Sequence, residues 1–299
     1  MADSNNQTEP KARAVMTKDN IEQYWEEGYT IVRDVFNETD INQMRMSCDR
    51  WKAMGLMLER TWRNKNTLIW VSNKVDGRHI DQKTVYGMQW PSYHDATMNQ
   101  YRTDPRLLEL VEPLLGNSLK QIINQIHWKE PESQVSWPTH RDVRTRKPSS
   151  AFTDLYTSWV QTGIAIDPQS KENGAMKIVV GSHKDVEHDP ENTEIYNIPD
   201  AEKDPRSKDV DMNPGDVAMW SAYTIHGGGI NSSRLSERRL YINGFVKADK
   251  CTRGEWAFKD GRPCPLDKNN QSLVQFEALE ELDYGHYPED LNRVENITD

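Results

Sequence analysis

The stretch "SWPTHRDVRTRKP", residues 136–148, sets an imidazole, His140, and a carboxylate, Asp142, two positions apart among basic side chains. On a β-strand, side chains at i and i+2 share a face. The two groups would then converge on one point, as metal ligands must; in a solvated loop the pair would do nothing. His226 adds a third group, near the end of the apolar stretch "DVAMWSAYTIHGG", with three glycines after it. If the two strands meet, His140, Asp142 and His226 place two imidazoles and one carboxylate on one face of an octahedral ion. Three adjacent positions stay open, and that donor set favours non-haem Fe(II). The glycines beside His226 would keep side chains from crowding the ion. The competing chemistry for three protein ligands is non-oxidative, a zinc-type hydrolytic site with one bound water.

Open positions on the ion admit a bidentate co-substrate and O2. 2-Oxoglutarate would chelate through its keto-acid end and leave a second carboxylate, which a guanidinium fork meets better than an ammonium. Arg238 and Arg239 open "RRLYINGFV", a strand expected to pair with the one carrying His226. Neighbours on a strand face opposite sides, so one of them points inward, and Arg238 is the choice. If the strand through Asp142 persists, Arg144 faces the same cavity and attracts an anionic substrate group; the basic run Arg141, Arg144, Arg146 and Lys147 otherwise reads as a solvated face. Among the ten tryptophans, Trp159, Trp137 and Trp90 could wall a substrate pocket.

These residues need a frame. Thr17 caps a helix carrying Ile21, Tyr24 and Trp25, which Gly28 stops; "YTIVRDVF" reads as a strand; Asn37–Asp40 opens a helix with Ile41, Met44, Cys48 and Trp51 on one face. "DPRLLELVEPLLG" is helical, so residues 17–116 read as a largely helical layer. Short strands follow at 119–128, 156–167, 175–183, 216–228 and 238–246, separated by turn signals, the pattern of an all-β sandwich or barrel. The polar segment 185–213 is too long for an ordinary loop and reads as a lid, together with the tail from 249 to 299. The first sixteen residues read as a disordered leader, and residues 17–299 as one domain.

The 299 residues suffice for a sizeable core, and with 28% charged residues and no apolar run of membrane length they predict a protein that does not enter a membrane. A net charge of −10 speaks against nucleic acid. Three cysteines without metal-site spacing fit a reducing, cytoplasmic location. A homo-oligomer is left open.

In order along the chain, "THRD", "IAIDPQSKENGAMKIVVGSHK", "MNPGDVAMWSAYTIHGGGINSS" and "RRLYINGFV" resemble the signature segments of the phytanoyl-CoA dioxygenase family of Fe(II)/2-oxoglutarate-dependent oxygenases. "YWEEGYTIVRDVFNETDINQMR" resembles that family's start, so the likeness covers residues 17 to 248, and "HRD" with "HGGGIN" is similar to the branch acting on natural products. The resemblance implies a mainly β fold with N-terminal helices, a double-stranded β-helix (jelly-roll, cupin-like) barrel. It implies Fe(2+) held by His140, Asp142 and His226, with 2-oxoglutarate and O2 as co-substrates. A C–H bond of a small-molecule substrate would be hydroxylated or otherwise oxidised, with release of succinate and CO2. Arg238 matches the family's co-substrate arginine one residue further along than usual, which keeps Arg239 and Arg234 open. Gln125 and His127, inward by alternation on the 119–128 strand, would touch 2-oxoglutarate. Related halogenases lack the ligating carboxylate; Asp142 is present, which points to hydroxylation. Gly228 stands where the family often has a small hydroxyl residue, so another group must support the co-substrate.

Overall fold

Helix starts and stops are written in the chain. Thr17 accepts from the Asn20 N–H at 3.2 Å while the Asn20 side chain accepts from the Thr17 N–H, a reciprocal cap. That cap opens α1 (Lys18–Glu27), and Gly28, at φ 82°, ends it in a left-handed conformation suited to glycine. β1 (Tyr29–Val32) follows, then α2 (Glu38–Met57), capped by Asn37. The computed structural model describes residues 14–75, 78–146, 149–185, 198 and 201–272. The expected leader up to residue 13, the Asp76–Gly77 turn, residues 186–197, 199 and 200 of segment 185–213 and the expected helical patch after 272 lie outside the described residues.

The helical layer is interrupted. β2 (Trp62–Asn64), β3 (Thr67–Val75) and β4 (Arg78–Gln89) form antiparallel strands where residues 17–116 read as largely helical. Thr67, Ile69, Trp70, Val71, Val85 and Tyr86 are the β-branched and aromatic types that fit a pleated surface. Helices resume with α3 (Ala96–Arg102) and α4 (Pro105–Leu115). The remaining elements are β5 (Leu119–Lys129), β6 (Trp137–His140), α5 (Leu155–Ser158), β7 (Trp159–Ala165), β8 (Met176–Val179), β9 (Ser207–Asp209), β10 (Val217–Trp220), β11 (His226–Gly228), β12 (Arg238–Lys247), β13 (Glu255–Lys259) and β14 (Arg262–Pro263).

The strands make two antiparallel sheets. The larger runs β1-β10-β7-β12-β5-β4-β3-β2, with β13 on the edge of β5; the smaller runs β6-β11-β8-β9. This is the expected mainly β jelly-roll with N-terminal helices; the sheets do not close into a continuous barrel. The expected 216–228 strand splits in two, and its halves, β10 and β11, belong to different sheets. β11 pairs with β6 and β8, and β12 with β5 and β7, so the strand starting at Arg238 does not pair with the one carrying His226. Part of the expected lid is regular: β9 pairs β8, and Ile198 bonds through its N–H to the Thr139 carbonyl at 3.2 Å. The tail begins by packing back, with β13 on β5.

Alternation sorts the larger sheet. Tyr241 and Phe245 of β12, Ile164 of β7 and Met219 of β10 join Ile41, Met44, Cys48, Leu107 and Val111 in a core under the helices. Leu240 and Ile242 of β12 face the other way, into the space between the sheets. Each fully buried large apolar side chain contributes about 1.5–3 kcal/mol, so the helical layer holds one face of the sheet rigid while the other is free to carry chemistry.

Candidate metal centre

His140 and His226 are direct cross-strand partners on β6 and β11. Asp142 joins them by a different route from the expected one. β6 ends at His140, and Asp142 opens a 3-10 turn through Thr145. The turn is pinned: the Val143 N–H donates to the Ala222 carbonyl at 3.0 Å, and the Arg141 guanidinium donates to the carbonyls of Tyr223 and Ser182. The carboxylate is thereby folded back, with Oδ1 3.7 Å from His140 Nε2 and Oδ2 3.5 Å from His226 Nε2. One donor atom from each of the three residues lies within 4.8 Å of the others.

Each imidazole is oriented from behind. His140 Nδ1 donates to the Pro138 carbonyl at 2.6 Å and His226 Nδ1 to that of Thr224 at 2.9 Å. Both Nε2 lone pairs are left for an ion, the arrangement that metal-binding histidines use. Burial pushes the His226 imidazole down to about 4, against the pull of Asp142, so it is neutral at physiological pH. Burial raises the Asp142 carboxyl, but the pull of the neighbouring imidazoles and of the Arg146 charge outweighs it and holds the group well below the usual carboxylate range. Two imidazole nitrogens and an ionised carboxylate suit Fe(II).

Trp220 supports this carboxylate, donating from Nε1 to Asp142 Oδ2 at 3.1 Å. Outer partners of ligands typically tune metal affinity about 10–100-fold. Trp220→Phe is therefore expected to weaken Fe(II) binding by about that factor with the fold intact, as read by anaerobic titration. Sequence reasoning passed over Trp220 because nothing in "VAMWS" marks one indole as aimed at a carboxylate contributed far away in the chain.

The glycines act on the strands more than on the ion. A Cβ at Gly227 would stand 2.8 Å from the Trp137 carbonyl oxygen, on the neighbouring strand β6. Gly227→Ala is expected to splay β11 from β6, cost about 1–3 kcal/mol in thermal stability, and weaken Fe(II) binding by separating His226 from His140. A Cβ at Gly228 would stand 2.9 Å from Lys129 Nζ, so the buried lysine ammonium takes the place of the side chain missing there.

The three donors open onto a cavity of about 160 Å³ between the sheets. Gln125, His127 and Arg238 line it from the larger sheet. His127 Nε2 meets Gln125 Oε1 at 3.1 Å, and its ring stacks on Trp137 with centroids 4.1 Å apart. Burial, then the nearby Arg238 charge, hold His127 well below the ordinary imidazole value, hence neutral. Arg238 is 2% exposed. Its Nε donates to Gln169 Oε1 at 2.6 Å, while Nη1 is buried without a hydrogen-bond partner among the described residues. Arg239 faces the opposite way, gripping Asp167 through Nε and Nη2 at 2.7 and 2.9 Å and reaching Asp49 of α2. Arg234 is 87% exposed beside Glu132.

Other expectations shift. Arg144 lines the cavity, from the turn and not from a continued strand. Arg141 and Arg146 are buried, so the basic run is no solvated face; Lys147 lies outside the described residues. Trp159 is not among the cavity-lining residues. It is fully buried in the core between the sheets, with the Arg146 guanidinium 4.3 Å above its ring. Gln161, two residues further along β7, lines the cavity instead. Trp137 lines it with Trp70 and Tyr86, whereas Trp90 packs against Tyr93 elsewhere.

Residues 24–239 match the family model described as phytanoyl-CoA dioxygenase. A probable alpha-ketoglutarate-dependent hypophosphite dioxygenase of Stutzerimonas stutzeri is 28% identical over 167 residues, 52% of this chain and 55% of that protein, so the match spans about half the relative's length. A probable phytanoyl-CoA dioxygenase of Caenorhabditis elegans is 24% identical over 76% of this chain and 72% of its own. The crystal structure of EctD from S. alaskensis with 2-oxoglutarate and 5-hydroxyectoine superposes with a TM-score of 0.62 over 90% of this chain and 89% of that one, at 13% identity.

Proposed function

The chain belongs to the phytanoyl-CoA dioxygenase family, and from that premise we propose that it is an Fe(II)- and 2-oxoglutarate-dependent dioxygenase that oxidises a C–H bond of a small molecule. The observation that carries this reading is the convergence of His140, Asp142 and His226, with both Nδ1 atoms tied to carbonyls and both Nε2 atoms turned to one point. These three residues hold the iron. When bound, iron supplies the O2 chemistry that decarboxylates 2-oxoglutarate to succinate and CO2 and places the second oxygen atom's oxidising power on the substrate. The protein's part is position. Arg238, anchored by Gln169, meets the distal carboxylate of 2-oxoglutarate; Gln125 and His127 flank it; Trp70, Tyr86 and Trp137 wall the space from water.

Asp142 fills the place that a halide would need, so the reaction is a hydroxylation or related oxidation. The substrate is a natural product or polar metabolite; the Stutzerimonas stutzeri relative is named for hypophosphite. A cytoplasmic location belongs to this reading and is supported by three free cysteines; no helix among the described residues is long and apolar enough to cross a membrane. The test is anaerobic reconstitution with Fe(II) and 2-oxoglutarate, then exposure to O2 with panels of metabolites, reading succinate. Succinate formed in step with O2 consumption is the expected result. Hydrolysis of a substrate with zinc bound, and no succinate from any panel, would replace this reading with the hydrolytic one.

A further inference from the structure

We propose that Arg146, with Gln161 lining the same cavity, forms a second anion subsite there, and that the oxidised substrate is a small oxyanion, a phosphonate or carboxylate, carrying a hydrogen-bond donor. This rests on the oxygenase reading, in which Arg238 is taken by 2-oxoglutarate.

Arg146 is 2% exposed, yet it lines the cavity. Its Nη1 donates to Thr145 Oγ1 at 2.7 Å. Nε and Nη2 are buried with no hydrogen-bond partner among the described residues. Those two nitrogens form one edge of the guanidinium, the edge that grips two oxygens of an oxyanion side by side. Asp142 does not fill that edge: its Oδ1 is 3.9 Å from Nη2, close enough for charge attraction but beyond hydrogen-bond reach. Buried charged donors left unmade are costly, and a bound oxyanion satisfies both. Gln161 is 5% exposed and lines the same cavity, and its Oε1 is buried without a hydrogen-bond partner among the described residues. An amide oxygen accepts, so the ligand presents it a hydroxyl or an ammonium.

The two guanidiniums stand at different depths. Arg146 lies over Trp159, which pairs with Val246 on β12, whereas Arg238 opens that strand. The two side chains therefore reach the one cavity from different ends of β12. Three guanidiniums, from Arg144, Arg146 and Arg238, face the cavity against a single carboxylate among the lining residues, Asp142. A 2-oxoglutarate dianion answers one end and leaves the other cationic.

The experiment is calorimetric titration of the anaerobic Fe(II)- and 2-oxoglutarate-loaded protein with methylphosphonate, propanoate and neutral propanamide. One of the two anions is expected to bind where propanamide does not, and the stronger of them identifies a phosphorus or a carbon acid. Arg146→Met is expected to weaken that binding about tenfold or more, read at saturating Fe(II) and 2-oxoglutarate because the Arg146 charge also stands 3.9 Å from Asp142. Arg146→Lys keeps the charge over Trp159 and loses the fork, so it too binds more weakly, and it decides the matter if the methionine variant does not fold. Gln161→Leu weakens only ligands that carry a donor, which a repeat with aminomethylphosphonate reads. Equal binding of all three probes, or anion binding unchanged in Arg146→Lys, overturns the subsite, as does a variant that loses iron but keeps the anion. Succinate formation without anion binding overturns the subsite alone. Anion binding that depends on Arg146 in a protein that never forms succinate upholds the subsite and overturns the oxygenase reading.

Discussion

His226→Ala is expected to abolish Fe(II)-dependent 2-oxoglutarate decarboxylation, a loss of about a thousandfold or more, and His140→Ala to do the same. The reason is that the donor set is minimal. Two imidazole nitrogens and one carboxylate leave no spare ligand among the described residues within reach of the same point. Both histidines are also oriented as donors by their Nδ1 bonds to the Pro138 and Thr224 carbonyls, an orientation that no replacement side chain inherits. The variants should fold, since β11 pairs with β6 and β8 through its backbone. His183→Ala is the control. His183 is buried outside the cavity lining and bonds through Nε2 to the Trp25 carbonyl at 3.0 Å, so its loss should lower the melting temperature and leave turnover per folded molecule unchanged. Full turnover in His226→Ala, measured as succinate per bound iron, would sink the assignment.

The contrast between these histidines shows what a linear sequence can carry. His140, Asp142 and His226 were legible because their types, order and glycine-rich surroundings form a pattern specific enough to outweigh the ordinary reading of each residue. Their geometry was not. Alternation on one strand would have brought His140 and Asp142 together, but a pinned 3-10 turn does so instead. The split of the 216–228 stretch was equally hidden. Val217–Trp220 and His226–Gly228 are continuous in apolar character, and only the demand that the chain cross from one sheet to the other breaks them. Strands β2 to β4 were missed for a related reason: they lie between strong helix signals, and their partner β5 comes later in the chain. Trp159 shows the limit of alternation. Period two assigns a face, but depth along the strand depends on what enters from elsewhere, here the Arg146 guanidinium.

Arg238 and Arg239 put the same limit to experiment, because adjacent arginines on one strand receive opposite duties. Arg239 grips Asp167 with two nitrogens on the helix side of the sheet, and Asp167 is itself buried. Arg239→Met leaves that carboxylate only the longer contact with Arg45, whose Nε is 3.3 Å from Oδ1, a loss of about 3 kcal/mol, read as a fall in the denaturant midpoint. Arg238 has no carboxylate hydrogen-bonded to it: its Nε rests on the Gln169 amide oxygen, and its Nη1 is buried without a partner among the described residues. Burial alone pushes its guanidinium down to about 10, the mark of a cation held out of water, against only the more distant pull of Asp167. Arg238→Met therefore removes a charge that is costly to bury and should change stability far less than Arg239→Met. On the proposed reading, what it takes away is the fork for the distal carboxylate of 2-oxoglutarate. Two charge-assisted hydrogen bonds lost correspond to a rise of about 100-fold in KM for 2-oxoglutarate. The maximal rate at saturating co-substrate should fall much less, since iron, O2 and substrate keep their places. Arg238→Lys should recover part of that affinity, retaining charge without the fork. Should Arg239→Met raise the KM for 2-oxoglutarate while Arg238→Met unfolds the protein, the roles of the two arginines are exchanged, and with them the face of β12 that meets the co-substrate.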